Sequence, residues 1–141
     1  STTQSTVAKS HWSLDSMIAL WYGYSTMSRY CLGTYSPQIA WNKAFTASTH
    51  KRSTHLFNKP PNGPALPGNE AFGIQFSFEG KFAIFVGGFP ISINDEIVGG
   101  IGMSGGNGDE DTKVGIAALE ALANQYKNST YKVEVSADIK K

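Results

Sequence analysis

The amino-acid sequence predicts a single α+β domain in which helices pack on an antiparallel β-sheet of about five strands. Several short segments alternate apolar and polar residues and are separated by glycine, asparagine or aspartate turns, as strands of one half-buried sheet would be. Two longer segments carry the three-to-four-residue spacing of amphipathic helices. The length of 141 residues fits one domain, so residues 1–141 are expected to fold as a unit.

The predicted strands are joined by short turns, and strands connected in this way run antiparallel. A first hairpin is expected around the turn Leu14-Asp15-Ser16. A second is expected around Glu79-Gly80, with Phe72, Ile74, Phe76 and Phe78 on one buried face. The segments predicted to be strands are residues 7–12, 17–24, 72–78, 81–86, 89–93, 97–103 and 131–139.

Two helices are marked by residues suited to their first turns. Ser36-Pro37 predicts a helix start, because serine caps free backbone N–H groups and proline fits the first helical position. This helix should run to about Thr49 and place three alanines on a flat face against the sheet: Ala40, Ala44 and Ala47. The last helix should begin near Asp109, where acidic residues interact favourably with the helix dipole.

Composition excludes several classes of partner. The formal net charge of +1 provides no strong positive field for nucleic acid. No apolar run approaches the roughly 20 residues that cross a bilayer, so no membrane partner is expected. The single cysteine, Cys31, excludes an internal disulfide and a multi-cysteine metal site. We expect a soluble protein, either cytoplasmic or secreted after removal of a leader.

One apparent nucleotide motif is rejected. Residues 100–105 match the spacing GxGxxG, but that fingerprint requires a parallel βαβ unit. Here the preceding strand belongs to a predicted antiparallel meander, and Asp109, Glu110 and Asp111 would repel a pyrophosphate. The sequence also contains no nucleophile elbow, P-loop or HExxH motif.

The densest group of basic and titratable residues follows the first helix. It contains His50, Lys51, Arg52 and His55. One interpretation is structural, since cations at a helix C-terminus complement its dipole. The other is a site for an anionic ligand, in which Lys51 and Arg52 hold carboxylates and one histidine offers a ring nitrogen to iron.

The segment from residue 87 to residue 122 resembles the C-terminal signature of the GlcG/HbpS family of small haem-binding proteins. That signature combines GG-x-P, a short acidic turn, G-x-IG-V-SG, and a helix led by aspartate. The residue matches are Gly87, Gly88, Pro90, Gly99, Ile101, Gly102, Ser104, Gly105 and Asp111. Upstream, residues 43–47 resemble the family's helix through a Lys-Ala pair followed by Thr-Ala. The resemblance covers about residues 39–122.

The resemblance implies a profilin-like α+β fold, self-association into a homo-oligomer, and haem as cofactor, with haem degradation in some members. The family's long N-terminal helix is not visible here, so binding residues near the first hairpin are not carried over. In this interpretation Trp41 and Phe45 line the slot, together with Tyr22 and Tyr24. The haem propionates meet Lys43, Lys51 and Arg52, and the metal ligand is His50 or His55.

Two other functions remain open, and with them the question of whether the chain is an enzyme. One is an enzyme on the same fold that acts on a planar organic metabolite in a biosynthetic pathway, with Lys43 or His50 as the catalytic acid–base group. The other is an oligomeric assembly module that binds no small-molecule ligand.

Overall fold

Five strands and two helices organise the part of the chain that the structure describes. The computed structural model describes the backbone of residues 2–9, 20–27, 36–135 and 137–140, and the side chains of residues 38–135, 138 and 139. The strands are β1 (Thr2–Lys9), β2 (Leu20–Met27), β3 (Gly88–Ile93), β4 (Glu96–Ser104) and β5 (Val133–Val135). The helices are α1 (Ser36–His50) and α2 (Gly108–Gln125), and short 3₁₀ turns span Thr54–Phe57, Ile74–Phe76, Phe78–Gly80 and Ala137–Lys140.

The strands form one sheet in the order β1-β2-β4-β3-β5. The pairs β1/β2, β3/β4 and β3/β5 are antiparallel, which agrees with the predicted α+β class. The prediction of an entirely antiparallel sheet is wrong for one pair, because β2 and β4 run parallel. Parallel neighbours require a long crossover, and the chain between β2 and β4 supplies one that contains α1.

Helix α1 lies directly on β4. Its three alanines, Ala40, Ala44 and Ala47, are fully buried, as predicted. The facing residue Gly102 has no room for a side chain, since a Cβ there would overlap the backbone carbonyl of Ala40. The helix backbone therefore contacts the strand backbone through a layer without large side chains.

The other face of the sheet is covered by α2. Ile101 and Met103 alternate with Gly102 along β4 and so point away from α1. They pack in one apolar cluster with Phe89 of β3, Leu119 of α2 and Ile139 of the last 3₁₀ turn. The sheet is thus enclosed by a helix on each face in the described part of the chain.

The predicted hairpin at residues 72–86 is wrong. The segment contains two 3₁₀ turns, and the three phenylalanines expected in the core are exposed: Phe72 by 61%, Phe76 by 81% and Phe78 by 54%. Phe78 and Glu79 have φ of 55° and 58°, which ends extended structure there.

Side chains replace the missing ladder in that segment. The backbone N–H of Ala83 donates to the hydroxyl of Thr46 at 2.9 Å, and the hydroxyl of Thr54 donates to the carbonyl of Phe85 at 2.5 Å. Both threonines are completely buried. These bonds attach the segment to α1 and to the 3₁₀ turn Thr54–Phe57, and they pair two of its backbone groups without a second strand.

The chain ends differ from the prediction as well. Strand β5 is shorter than predicted, because residues 137–140 form a 3₁₀ turn whose Asp138 carboxylate accepts two hydrogen bonds from Ser53. The first strand begins at Thr2, earlier than the predicted residue 7. The predicted turn at residues 14–16 and Cys31 lie outside the described residues, as do the side chains of Tyr22 and Tyr24.

We expect Gly102→Ala to lower the free energy of unfolding by about 1–3 kcal/mol, because the added methyl group overpacks the contact between α1 and β4. Chemical denaturation monitored by circular dichroism measures the change. Glu120→Ala, at an exposed position of α2, is the control and should stay within about 0.5 kcal/mol of wild type. Equal stabilities of the two variants would contradict the close approach.

Candidate ligand-binding site

A cluster of rings lies at the C-terminal end of α1, and we call it the aromatic patch. His50, the last residue of the helix, makes edge contacts with Phe82 at a centroid distance of 4.5 Å, with Phe57 at 6.0 Å and with Phe78 at 6.1 Å. The patch consists of Trp41, Phe45, His50, Phe57, Phe78 and Phe82. An imidazole is thereby placed among rings from three separate segments of the chain.

The helix contributes a stacked pair to the patch. Trp41 and Phe45 are four residues apart, and their ring centroids lie 5.4 Å apart with planes inclined by only 7°. The half-exposed ring of Phe78 contacts Phe45 edge-on at 5.6 Å. The ammonium of Lys81 lies 5.9 Å from the Trp41 ring centroid. The patch is therefore partly open to solvent and bordered by positive charge.

Burial controls the charge state of His50. The pKa of His50 is lowered from its usual 6.5, chiefly because burial disfavours the imidazolium. A hydrogen bond to the backbone carbonyl of Thr46 opposes this effect, and the Arg52 guanidinium adds to it. The ring nitrogen Nδ1 lies 2.9 Å from the hydroxyl of Thr49. At neutral pH His50 is thus a neutral imidazole, the form that binds metals.

His55 occupies a different environment, in the 3₁₀ turn that follows α1. Burial also lowers the pKa of this histidine, while the Asp138 carboxylate acts in the opposite direction. Its Nδ1 is buried and has no hydrogen-bond partner among the described residues. That nitrogen cannot reach a ligand on the surface without a change in the turn.

The two cations predicted to hold carboxylates follow α1 directly. Lys51 is exposed and has a φ of 54°, where the helix ends. The guanidinium carbon of Arg52 lies 4.7 Å from the centroid of the Phe57 ring. The structure therefore brings Arg52 into contact with the aromatic patch, beside His50.

Lys43 is not part of this patch. Only 2% of its surface is exposed, and its Nζ donates to the carbonyl of Met103 at 2.6 Å and to Asp111 Oδ2 at 3.3 Å. The half-exposed ring of Phe85 lies over the ammonium, with the centroid 4.6 Å away. Burial lowers the pKa of Lys43 more than Asp111 raises it. The predicted propionate contact and acid–base role would require this buried ion pair to open.

Asp111 lies in the first turn of α2, close to the predicted helix start, but it is not the residue that caps the helix. Asn107 is the N-cap of α2, and it forms a reciprocal capping box with Glu110. Asp111 is instead buried beside Lys43, and its Oδ1 accepts the N–H of Gly106 at 3.2 Å. Spacing along the sequence gave no signal for a pair 68 residues apart.

Two glycines of the family signature lie directly against Lys43 of this ion pair. Gly87 has a φ of 123°, and a Cβ there would lie 2.7 Å from Lys43 Nζ. The N–H of Gly88 donates to the hydroxyl of Thr54 at 2.9 Å. Pro90 and Ser104 are buried in β3 and β4, and Gly105 turns the chain towards α2 with a φ of 115°.

Sequence reasoning missed Phe57, Phe78 and Phe82 as members of the patch. Phe78 and Phe82 lie in segments that the sequence predicts to be strands, and no local pattern indicates the compact 3₁₀ turn at Phe78–Gly80. The described residues contain no group of three or more histidine, cysteine, aspartate or glutamate side chains that could hold a metal ion alone.

The described residues contain no helix with the length and apolarity needed for a membrane crossing.

Comparison with known proteins identifies the family. A family model described as "Haem degrading protein HbpS-like" matches residues 31–120, and the chain therefore belongs to this family. An uncharacterized 15.0 kDa protein of Citrobacter freundii is 31% identical over 88 residues, which are 62% of this chain and 59% of that protein. The corrinoid adenosyltransferase PduO of Salmonella typhimurium is 30% identical over 87 residues, which are 62% of this chain and 25% of that protein.

Two solved structures resemble the chain at 28% sequence identity. The Klebsiella pneumoniae protein ORFY has a TM-score of 0.61, and the match covers 69% of this chain and 63% of that one. The complex of PduOC with haem has a TM-score of 0.60, with coverage of 68% and 66%. The match thus spans about three fifths of the Citrobacter protein and a quarter of PduO.

We expect Asp111→Ala to reduce the free energy of unfolding by about 3–5 kcal/mol, because it leaves the Lys43 ammonium buried without its carboxylate. Denaturant titration measures the loss. Glu79→Ala removes one partner of the exposed Lys81–Glu79 pair and should leave the unfolding midpoint nearly unchanged. An Asp111→Ala midpoint equal to that of Glu79→Ala would show that the ion pair is not structural.

We also expect stability to decrease as the pH falls through 6.5 towards the lower pKa values that His50 and His55 have in the folded chain. In that window the unfolded chain binds more protons than the folded chain, so acid favours unfolding. Denaturation between pH 8 and pH 5 measures the slope. The double variant His50→Gln, His55→Gln should show a shallower slope, and an unchanged slope would assign the acid sensitivity to other groups.

Proposed function

We propose that this chain, as a member of the HbpS-like family, binds haem at the aromatic patch, on a profilin-like fold. The observation that carries the proposal is a neutral imidazole, His50, held among aromatic rings at a partly exposed surface. Haem needs an apolar face for the macrocycle, cations for the propionates and an axial donor. The described residues place aromatic rings, two cations and an imidazole in one region, which supports the proposal.

The apolar face is formed by rings with little conformational freedom. The Trp41–Phe45 stack is fixed on the helix, and Phe78 extends the surface outwards from it. Flat aromatic rings can contact a macrocycle by stacking or by their edges. In the proposed complex, these three side chains would contact the macrocycle and would shield the His50 ring from water.

The polar groups at the edge of the patch suit a dicarboxylate ligand. Arg52 is held over the Phe57 ring, and Lys51 is exposed beside it. These two cations would pair with the propionates, whereas Lys43 is committed to Asp111 and Met103. His50 would bind iron, and bound haem would supply any redox or oxygen chemistry.

Similarity to other proteins supports the same ligand class. The family model carries the description of haem degradation, and one structural neighbour is a haem complex. Both statements concern those proteins, so haem binding by this chain is the proposal to be tested. The expected homo-oligomer is likewise a proposal, and the exposed rings of Phe72 and Phe76 are its candidate contact surface.

An enzyme acting on a planar metabolite is the second candidate. Of the two acid–base groups predicted for it, Lys43 is buried in an ion pair, which leaves the neutral imidazole of His50. The same rings would stack on a flat organic substrate. This function predicts binding of metal-free planar compounds at the patch without any preference for iron.

Hemin titration tests the proposal. Wild type should shift the hemin Soret band at a stoichiometric ratio, and His50→Ala should abolish the shift and weaken binding at least about tenfold, or ~1.4 kcal/mol. His55→Ala is the matched control and should retain the shift, because the proposed axial ligand, His50, is still present. If His50→Ala binds hemin like wild type while His55→Ala does not, His50 is not the axial ligand.

A further inference from the structure

The hydroxyl of Thr49 connects the last turn of α1 to the His50 ring. It lies 2.8 Å from the carbonyl oxygen of Phe45 and 2.9 Å from His50 Nδ1. A second carbonyl, that of Thr46, is 3.4 Å away. This one oxygen thus has two short polar contacts and only one hydrogen to share between them.

The chemistry of the two partners decides where that hydrogen lies. A carbonyl oxygen can only accept, so the 2.8 Å contact with Phe45 requires the Thr49 hydroxyl to donate to it. If the hydroxyl pointed at Nδ1 instead, two oxygens would face each other at 2.8 Å with no hydrogen between them. The hydroxyl must therefore accept from the ring, and Nδ1 must carry the proton.

Within the described residues, Nδ1 is the His50 ring atom for which a hydrogen-bond partner is found. In the neutral ring the other nitrogen, Nε2, then holds the free lone pair.

We propose that Thr49 is a positioning residue that holds His50 in the Nδ1–H tautomer, so that Nε2 is ready to bind a metal. A metal-bound histidine almost always donates its other ring N–H to a neighbouring acceptor, which fixes the ring and strengthens its donor nitrogen. The inference rests on the proposed function only for the identity of the metal-bearing ligand. The tautomer itself is a property of the protein without ligand.

The tautomer of His50 also determines which class of ligand the site prefers. A site whose donor nitrogen is kept unprotonated favours a macrocycle with an open metal position over the same macrocycle without metal. Stacking on Trp41, Phe45 and Phe78 would not distinguish the two. The preference for hemin over metal-free protoporphyrin therefore measures what Thr49 and His50 contribute together.

The first experiment records the ¹⁵N–¹H correlations of the His50 ring in the ligand-free protein at pH 8, where the imidazole is neutral. Wild type and Thr49→Ser should show the Nδ1–H pattern, because serine keeps the hydroxyl. Thr49→Val has nearly the same shape but no acceptor, and its ring should shift towards the Nε2–H form. A wild-type ring protonated at Nε2, or a Val variant identical to wild type, would overturn the inference.

The second experiment compares hemin with protoporphyrin IX in the same three proteins. Thr49→Val should weaken hemin binding by about 10-fold or more, as loss of an outer partner of a metal ligand does, while protoporphyrin binding stays unchanged. Thr49→Ser should restore the hemin preference. Equal loss for both ligands would mean that Thr49 only shapes the surface, which overturns its positioning role.

The two experiments test the haem function and the His50 tautomer independently of each other. If the tautomer is as expected but wild type binds neither macrocycle, the proposed haem function fails while the assignment of the His50 proton stands. If hemin binds with a Soret shift but the tautomer is reversed, the haem function stands and the role of Thr49 is refuted.

Discussion

The fold depends on the direct contact of α1 with the middle of the sheet. Ala40 and Ala44 meet Gly100 and Gly102 with no side chain of any size between them, so the helix axis lies unusually close to β4. From this position on the sheet, the Lys43 ammonium reaches the carbonyl of Met103.

The Lys43–Asp111 pair joins the two helices across the end of β4. Removing two charges from water is costly, and the pair is stable only because neighbouring groups satisfy it: the Met103 carbonyl, the Gly106 N–H and the face of the Phe85 ring. The glycine motif leaves the space that this arrangement needs. The same residue types that could suggest a phosphate loop therefore enclose an internal salt bridge.

Local patterns in the sequence predicted those elements whose formation depends on neighbouring residues. The two helices, β3 and β4 followed from periodicity, capping residues and turns. The prediction failed where side chains distant in sequence replaced pairing between neighbouring strands. The hydroxyls of Thr46 and Thr54 form hydrogen bonds with backbone groups of residues 83–88, and these bonds take the place of a hairpin. The parallel pairing of β2 with β4 depends on the path of a long crossover, which no local signal records. His50, Trp41 and Phe45 were predicted as site residues from one helix, whereas their partners Phe78 and Phe82 became apparent only in three dimensions.

The backbone at Phe78 gives the aromatic patch its outer edge. Phe78 and Glu79 both adopt the left-handed region, which costs a non-glycine residue of order 1–3 kcal/mol, yet the ring of Phe78 remains 54% exposed. Contacts with Phe45, Phe82 and His50 recover part of this cost, but a fully buried ring would recover more. An unfavourable backbone that presents a half-exposed ring beside a neutral imidazole makes physical sense if a flat apolar ligand completes the burial. Ligand binding would then stabilise the turn at Phe78, and the turn would keep the ring in the position that the ligand contacts.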